Sequence, residues 1–280
     1  MVTPFNEDLS VDFDSLTKLV NFNIENGTNY LVVLGTTAEA ATLSSEEKKQ
    51  VIDHIIKANN KRVPLVLGIG GNNTMEVKKQ IEEADLSDFD AVLSVSPYYN
   101  KPNQEGLYQH YKALASTGKN IIIYNVPSRT GQNVEASTTL RLAEEFPNLI
   151  MIKEAAPNIL QYFDILRLKP ANFNLVSGDD EYTLPVTLAG GNGVISVIGQ
   201  GYPKEFSTMV QLAFDGKVKE AYEIHNKLVE ITRLIFAEGN PAGIKTVLAE
   251  LGIIKNYLRL PLVAASAGLQ EKIKAEMAKI

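Results

Sequence analysis

The chain has 280 residues, no cysteine and a net charge of −6, with 45% apolar residues against 21% charged. Such a composition describes a globular chain with a sizeable core, and it excludes disulfides, thiolate metal sites, iron–sulfur clusters and thiol nucleophiles. It also speaks against broad nucleic-acid binding, which needs a basic face, and no apolar run approaches the ~20 residues of a membrane span.

The opening MVTPFNED has neither the basic nor the apolar part of a signal peptide, so a cytoplasmic location is expected. Short apolar runs rich in β-branched residues then recur: YLVVL at 30–34, VPLVLGI at 63–69, AVLSVS at 91–96, NIIIY at 120–124, LIMI at 149–152, FNLVS at 173–177 and GVISV at 193–197. Each reads as a strand buried on both faces. Segments of helical period lie between them and carry start signals. Ser44 with Glu47 has the form of a capping box before VIDHII, Asn73 or Thr74 precedes MEVKKQIEEA, and Pro157-Asn158 precedes ILQYFDIL.

Strand and helix thus alternate, which implies parallel strands with helical crossovers. With a short first strand at MVTP the count reaches eight units, the number that closes a (β/α)8 TIM barrel, here residues 1–216. Only helical patterns follow, in VKEAYEIHNKLVEITRLIF, PAGIKTVLAELG and LVAASAGLQEKIKAEMAKI, and they form a C-terminal helical domain over 217–280. A doubly wound open sheet fits the same alternation.

In a parallel barrel the loops after the strands meet at the C-terminal mouth, where such enzymes carry their sites. Here those loops are dense in hydroxyls, amides, charges and glycine. The stretch LIMIKEAA at 149–156 ends an apolar strand on Lys153. Desolvation there disfavours the charged form and leaves more free amine to attack a carbonyl, which points to Schiff-base chemistry. The alternative is a structural lysine paired with Glu154. Gly35-Thr36-Thr37 offers backbone N–H groups and two hydroxyls to a small carboxylate, or is an ordinary turn. Tyr124 closes the fifth strand as a proton relay or as packing, and Arg129 is a carboxylate clasp or a surface arginine.

Other features read as structural. His54, His110 and His225 fall in helical segments at no metal-ligand spacing. GIGGNNT at 68–74 lacks the dinucleotide fingerprint and the P-loop lysine. Asp179, Asp180 and Glu181 sit at an expected helix start, where the dipole favours acids. GGNGVISV at 190–197 is a glycine turn into a strand.

Taken in order, VTPF, GTTAE, SPYYNKP, YNVPSRTG, IKEA, SGDD and GGNGVISV resemble the dihydrodipicolinate synthase family over nearly the whole chain. The resemblance implies a (β/α)8 barrel with a C-terminal helical domain, no metal, no organic cofactor and a homotetramer built from tight dimers. It further implies condensation of pyruvate with L-aspartate 4-semialdehyde on the route to diaminopimelate and lysine. By the same resemblance Lys153 is the Schiff-base lysine. Tyr124 and Thr36 form a proton relay with Tyr99, which the neighbouring subunit supplies. Thr37 binds the pyruvate carboxylate, Arg129 lies near the semialdehyde carboxylate, and Gly191 and Ile195 line the lysine's pocket.

The chain departs from the family pattern in two places. GTTAEAA has Ala38 and Ala40 where relatives often have glycine and serine, and the first strand starts at the chain's first residues. Asn72, Glu76 and Tyr98 fit the family's lysine-binding allosteric pocket, whereas Ser45 and Lys48 replace histidines of lysine-sensitive members, so weak inhibition is expected. The nearest rival is another pyruvate-dependent lyase, such as N-acetylneuraminate lyase or a keto-deoxy-sugar aldolase, which typically lacks an arginine at the place of Arg129. A catalytically silent ligand-binding barrel is the rival from another class.

Overall fold

The computed structural model describes residues 1–280, which form two compact units: residues 1–64 with 197–280, and residues 65–196. In the first, α1 (Phe13–Glu25) precedes β1 (Leu31–Val33), and two 3₁₀ turns, Thr36–Ala38 and Ala40–Thr42, lead from β1 to α2 (Ser45–Asn59). The capping box read from the sequence is formed: Ser44 Oγ accepts from Glu47 N at 3.1 Å, and Glu47 Oε2 accepts from Ser44 N at 2.9 Å. Two orphan amides of the helix start are thereby satisfied.

The second unit alternates β2 (Leu65–Gly68), α3 (Thr74–Glu83), β3 (Ala91–Val95), α4 (Gln104–Ala115), β4 (Ile121–Asn125), α5 (Pro127–Thr130), α6 (Ala136–Glu145), β5 (Leu149–Glu154), α7 (Ile159–Leu168), β6 (Asn174–Ser177) and α8 (Thr183–Leu188). Its strands β2 to β6 lie side by side in chain order, all parallel. Asn73 caps α3 by accepting from Met75 N and Glu76 N, as its position before the periodic segment predicts. The first unit is completed by α9 (Pro203–Phe214), α10 (Val218–Phe236), α11 (Ala242–Glu250) and α12 (Ala267–Met277). No helix is long and apolar enough to cross a membrane.

Strand pleating decides what each face of the second unit's sheet carries, because successive side chains point to opposite sides. Val92, Ile121, Ile123, Ile152 and Leu175 pack into one buried cluster with Val77, Ile81, Leu107, Tyr111, Leu142, Tyr162 and Ile165 from the helices. Burying each such side chain stabilises by roughly 1.5–3 kcal/mol. The intervening residues, including Ile122, Tyr124, Lys153 and Val176, therefore belong to the face turned away from the helices.

Two strands expected from the sequence are not formed. Residues 1–4 carry no assigned strand: Met1 N donates to Val32 O at 2.9 Å, Val2 N donates to the Gln200 side chain at 2.7 Å, and Pro4 has no N–H. GVISV is reduced to a single bridge, Val194 to Ser177, flanked by bonds from Ser177 N to Gly193 O and from Ile195 N to Ser177 O, both 2.9 Å. Gly193 at φ 108° starts the segment and a 3₁₀ turn at Ile198–Gln200 follows it.

Candidate active site

Lys153 is the fifth of six residues in β5 and pairs in register with Tyr124 of β4 and Val176 of β6. It is 8% exposed, and its Nζ lies 4.2 Å from the centroid of the Tyr124 ring. Glu154, the next residue, turns to the opposite face, so the structural pairing of Lys153 with Glu154 is not made. The Glu154 carboxylate accepts from Asn125 Nδ2 at 2.9 and 3.0 Å, Ala156 N at 2.7 Å and Gln161 Nε2 at 2.8 Å. Asn125 itself is fixed by Val134 N, which donates to its Oδ1 at 3.0 Å. Complete burial pushes the Glu154 carboxyl up to about 7 despite these donors.

Room for the lysine stem comes from Gly178, the residue after β6. A Cβ there would lie 2.9 Å from Lys153 Cε and 2.8 Å from Ala155 Cβ, closer than carbon atoms pack. Gly191 is constrained in the same way, because a Cβ would lie 2.8 Å from Val186 O. Ile195 is buried one residue beyond the Ser177–Val194 bridge, and alternation turns it to the side of the sheet that carries Lys153.

The loops after β3 and β4 carry Tyr98, Tyr99 and Arg129 at the same C-terminal edge of this sheet. Tyr99 is 88% exposed and has φ 74°, a conformation unfavourable for a bulky residue. Arg129 is exposed on the single turn α5. Asn100 Nδ2 donates to Asn72 O at 2.9 Å, joining the loop that holds Asn72 to the one that holds Tyr98. Glu76 is exposed in the first turn of α3.

In the other unit, Thr36 is exposed and Thr37 half-buried in the 3₁₀ turn after β1. Asn240 Nδ2 donates to Thr37 Oγ1 at 2.8 Å, and Thr3 Oγ1 donates to Ala38 O at 2.7 Å. Ala38 takes its place in this turn; Leu34 and Glu39 of the loop are left-handed, at φ 55° and 54°. The Glu39 carboxylate is held by Lys245 Nζ at 2.5 Å and by Arg259 N at 3.1 Å. Burial lowers the Lys245 ammonium to about 8, partly countered by Glu39.

The three histidines pack rather than gather. His54 meets Thr17 Oγ1 at 2.7 Å, His110 meets Thr74 Oγ1 at 2.9 Å with burial lowering it to about 4, and His225 lies edge-on to Tyr222. Asp179 shapes a turn, accepting from Glu181 N at 2.9 Å and Tyr182 N at 3.3 Å.

Sequence reasoning missed Gly178, Asn125, Gln161, Asn240, Lys245 and Arg259. Gly178 and Asn125 stand inside motifs that were singled out, SGDD and YNVP. Gln161 and Lys245 look like any helical residue, and no local signal marks them.

The whole chain, residues 1–280, matches the model of the dihydrodipicolinate synthetase family. A protein of Flavobacterium psychrophilum named 4-hydroxy-tetrahydrodipicolinate synthase is 55% identical over 274 residues, covering 98% of this chain and 94% of the relative. The crystal structure of chloride-inhibited dihydrodipicolinate synthase from Acinetobacter baumannii, complexed with pyruvate, superposes with a TM-score of 0.96 at 40% identity, covering 100% of this chain and 96% of that one. The lysine-bound enzyme of Cyanidioschyzon merolae gives a TM-score of 0.95 at 34% identity, covering 100% and 95%.

Proposed function

The chain belongs to the dihydrodipicolinate synthetase family, and from that premise we propose that it is a 4-hydroxy-tetrahydrodipicolinate synthase. As such it is a lyase of lysine and diaminopimelate biosynthesis that condenses pyruvate with L-aspartate 4-semialdehyde. The observation that carries the chemistry is Lys153: buried, turned away from Glu154, and seated over the Tyr124 ring.

In this reading the Lys153 amine adds to the keto carbon of pyruvate and water leaves, giving an iminium. Loss of a proton from the pyruvate methyl group gives an enamine, whose carbon attacks the aldehyde carbon. Tyr124, Thr36 and Tyr99 of a neighbouring copy pass the protons without charging a buried base. Thr37 holds the pyruvate carboxylate and Arg129 the semialdehyde carboxylate, while Gly191 and Ile195 line the pocket. The exposed, left-handed Tyr99 supports a role completed by a second copy, and hence a homo-oligomer, a dimer of dimers.

The fold we assign is a (β/α)8 TIM barrel over residues 1–216 with a C-terminal helical domain over 217–280, in a cytoplasmic enzyme that needs no metal or organic cofactor. Asn72, Glu76 and Tyr98 form the allosteric pocket, with weak inhibition by lysine because Ser45 and Lys48 stand where lysine-sensitive members often have histidines. Arg129 favours a short acidic aldehyde over the sugar aldehydes of related lyases.

Borohydride reduction in the presence of pyruvate tests the first step by intact mass. A covalent adduct is expected on the native chain and none on Lys153→Ala; an adduct surviving that substitution rejects the assignment. Faster turnover with sugar aldehydes than with aspartate 4-semialdehyde, in a coupled assay, selects the rival lyases instead.

A further inference from the structure

We propose that Asn240 is a positioning residue for the keto-acid substrate, fixing the Thr37 hydroxyl so that its hydrogen is free to bind the carboxylate. This rests on the reading of Thr37 as the carboxylate site. A hydroxyl has one hydrogen to donate and two lone pairs to accept with, and an amide NH₂ group can only donate. The bond from Asn240 Nδ2 to Thr37 Oγ1, 2.8 Å long, therefore occupies a lone pair and leaves the hydroxyl hydrogen available.

The surroundings make this a set geometry. Asn240 is buried, and its partner hydroxyl is half-buried in a turn that is held at the two residues after Thr37. Ala38 O takes the Thr3 hydroxyl, and the Glu39 carboxylate lies between Lys245 Nζ and Arg259 N. Lys245 is itself locked by donation to Tyr257 O at 2.9 Å, and its own N–H donates to Pro241 O at 3.0 Å. One short stretch, residues 240–245, thus grips the loop at Thr37 and at Glu39. With the loop held beside it, the side-chain rotamer and the rotation of the hydroxyl are the freedoms left to Thr37, and the bond from Asn240 restricts both.

Steady-state kinetics on the full chain, varying each substrate in turn, test this with Asn240→Asp, Asn240→Ala, Thr37→Val and the double variant Thr37→Val/Asn240→Ala. Asn240→Asp keeps the shape but offers only acceptors, so Thr37 must donate to it and lose its free hydrogen. A hydrogen bond to a carboxylate is worth about a tenfold to hundredfold change in affinity. Accordingly both Asn240 variants should raise the KM for pyruvate by about tenfold or more, with kcat and the aldehyde KM changed less than about threefold. In the Thr37→Val background, Asn240→Ala should add nothing. Thermal midpoints identify any variant that is unfolded, and if Asn240→Ala is, the Asp variant decides alone. An unchanged pyruvate KM, or a full additional effect in the double variant, overturns the proposal while Thr37→Val still raises KM. If Thr37→Val leaves the pyruvate KM unchanged, the carboxylate reading of Thr37 fails, and the role of Asn240 falls with it.

Discussion

Lys153 and Glu154 are consecutive in β5, both buried, and face opposite sides of the sheet: the lysine lies against the Tyr124 ring, the glutamate among four amide contacts. Two opposite charges adjacent in sequence therefore do not neutralise each other. The strand's alternation assigns the glutamate to the helix-side core with Ile152, and the lysine to the other face. Tyr162 OH, donating to Glu154 O at 2.6 Å, further ties this strand end to α7. The Lys153 amine is thus mounted on a strand anchored from behind by a polar network.

The burial of Glu154, which outweighs its hydrogen-bond donors, makes stability depend on pH. Glu154 titrates near 7 in the folded chain and near 4.5 when unfolded, so its protonated form is favoured by folding. The contribution is complete below about 4.5 and is lost as pH rises through 7, up to about 3 kcal/mol for a shift of this size. Denaturant unfolding at several pH values should show this decline between pH 5 and 8, and Glu154→Gln should lack it. An identical pH slope in the variant would assign the titration elsewhere.

Gly178→Ala should injure catalysis more than folding. Its Cβ would press on Lys153 Cε and Cγ, at 2.9 and 3.0 Å, so the lysine must leave its place over the Tyr124 ring. Overpacking of this kind costs about 1–3 kcal/mol. The rate of borohydride trapping with pyruvate should fall at least about tenfold, a loss of 1.4 kcal/mol at the transition state.

Tyr124→Phe separates the ring from the hydroxyl. The ring still packs under the Lys153 amine, so the pyruvate adduct should form. Turnover should fall by about 10²–10⁴, the usual contribution of a positioned proton-transfer group. Full turnover in this variant would remove Tyr124 from the relay.

Lys245→Met tests the clamp on the loop that carries Thr36 and Thr37. Both partners of the Lys245–Glu39 ion pair are fully buried. Removing one strands the other charge, at a cost of about 3–5 kcal/mol. The double variant Lys245→Met/Glu39→Gln should regain part of that loss in denaturant midpoint, and equal losses for the two would show that the pair is not coupled.

Local order in the sequence determined a good deal. The alternation of apolar runs with helical periods gave six strands and most of the helices, and Ser44 with Glu47 and Asn73 marked helix starts that the structure forms. These signals work because a cap acts across three residues and a strand's alternation across two. Lys153 was legible for the same reason, as a charge ending an apolar run. Two runs misled: MVTP and GVISV have strand-like composition, but ladder formation needs a partner's amides in register, which composition does not encode. Tertiary structure alone decided that Glu154 faces away from Lys153, that Gly178 makes space for the lysine, and that Asn240 reaches Thr37 across 203 residues of chain. Contacts of that separation depend on how whole elements pack, and a single residue on a helix carries no trace of the partner that packing will bring to it.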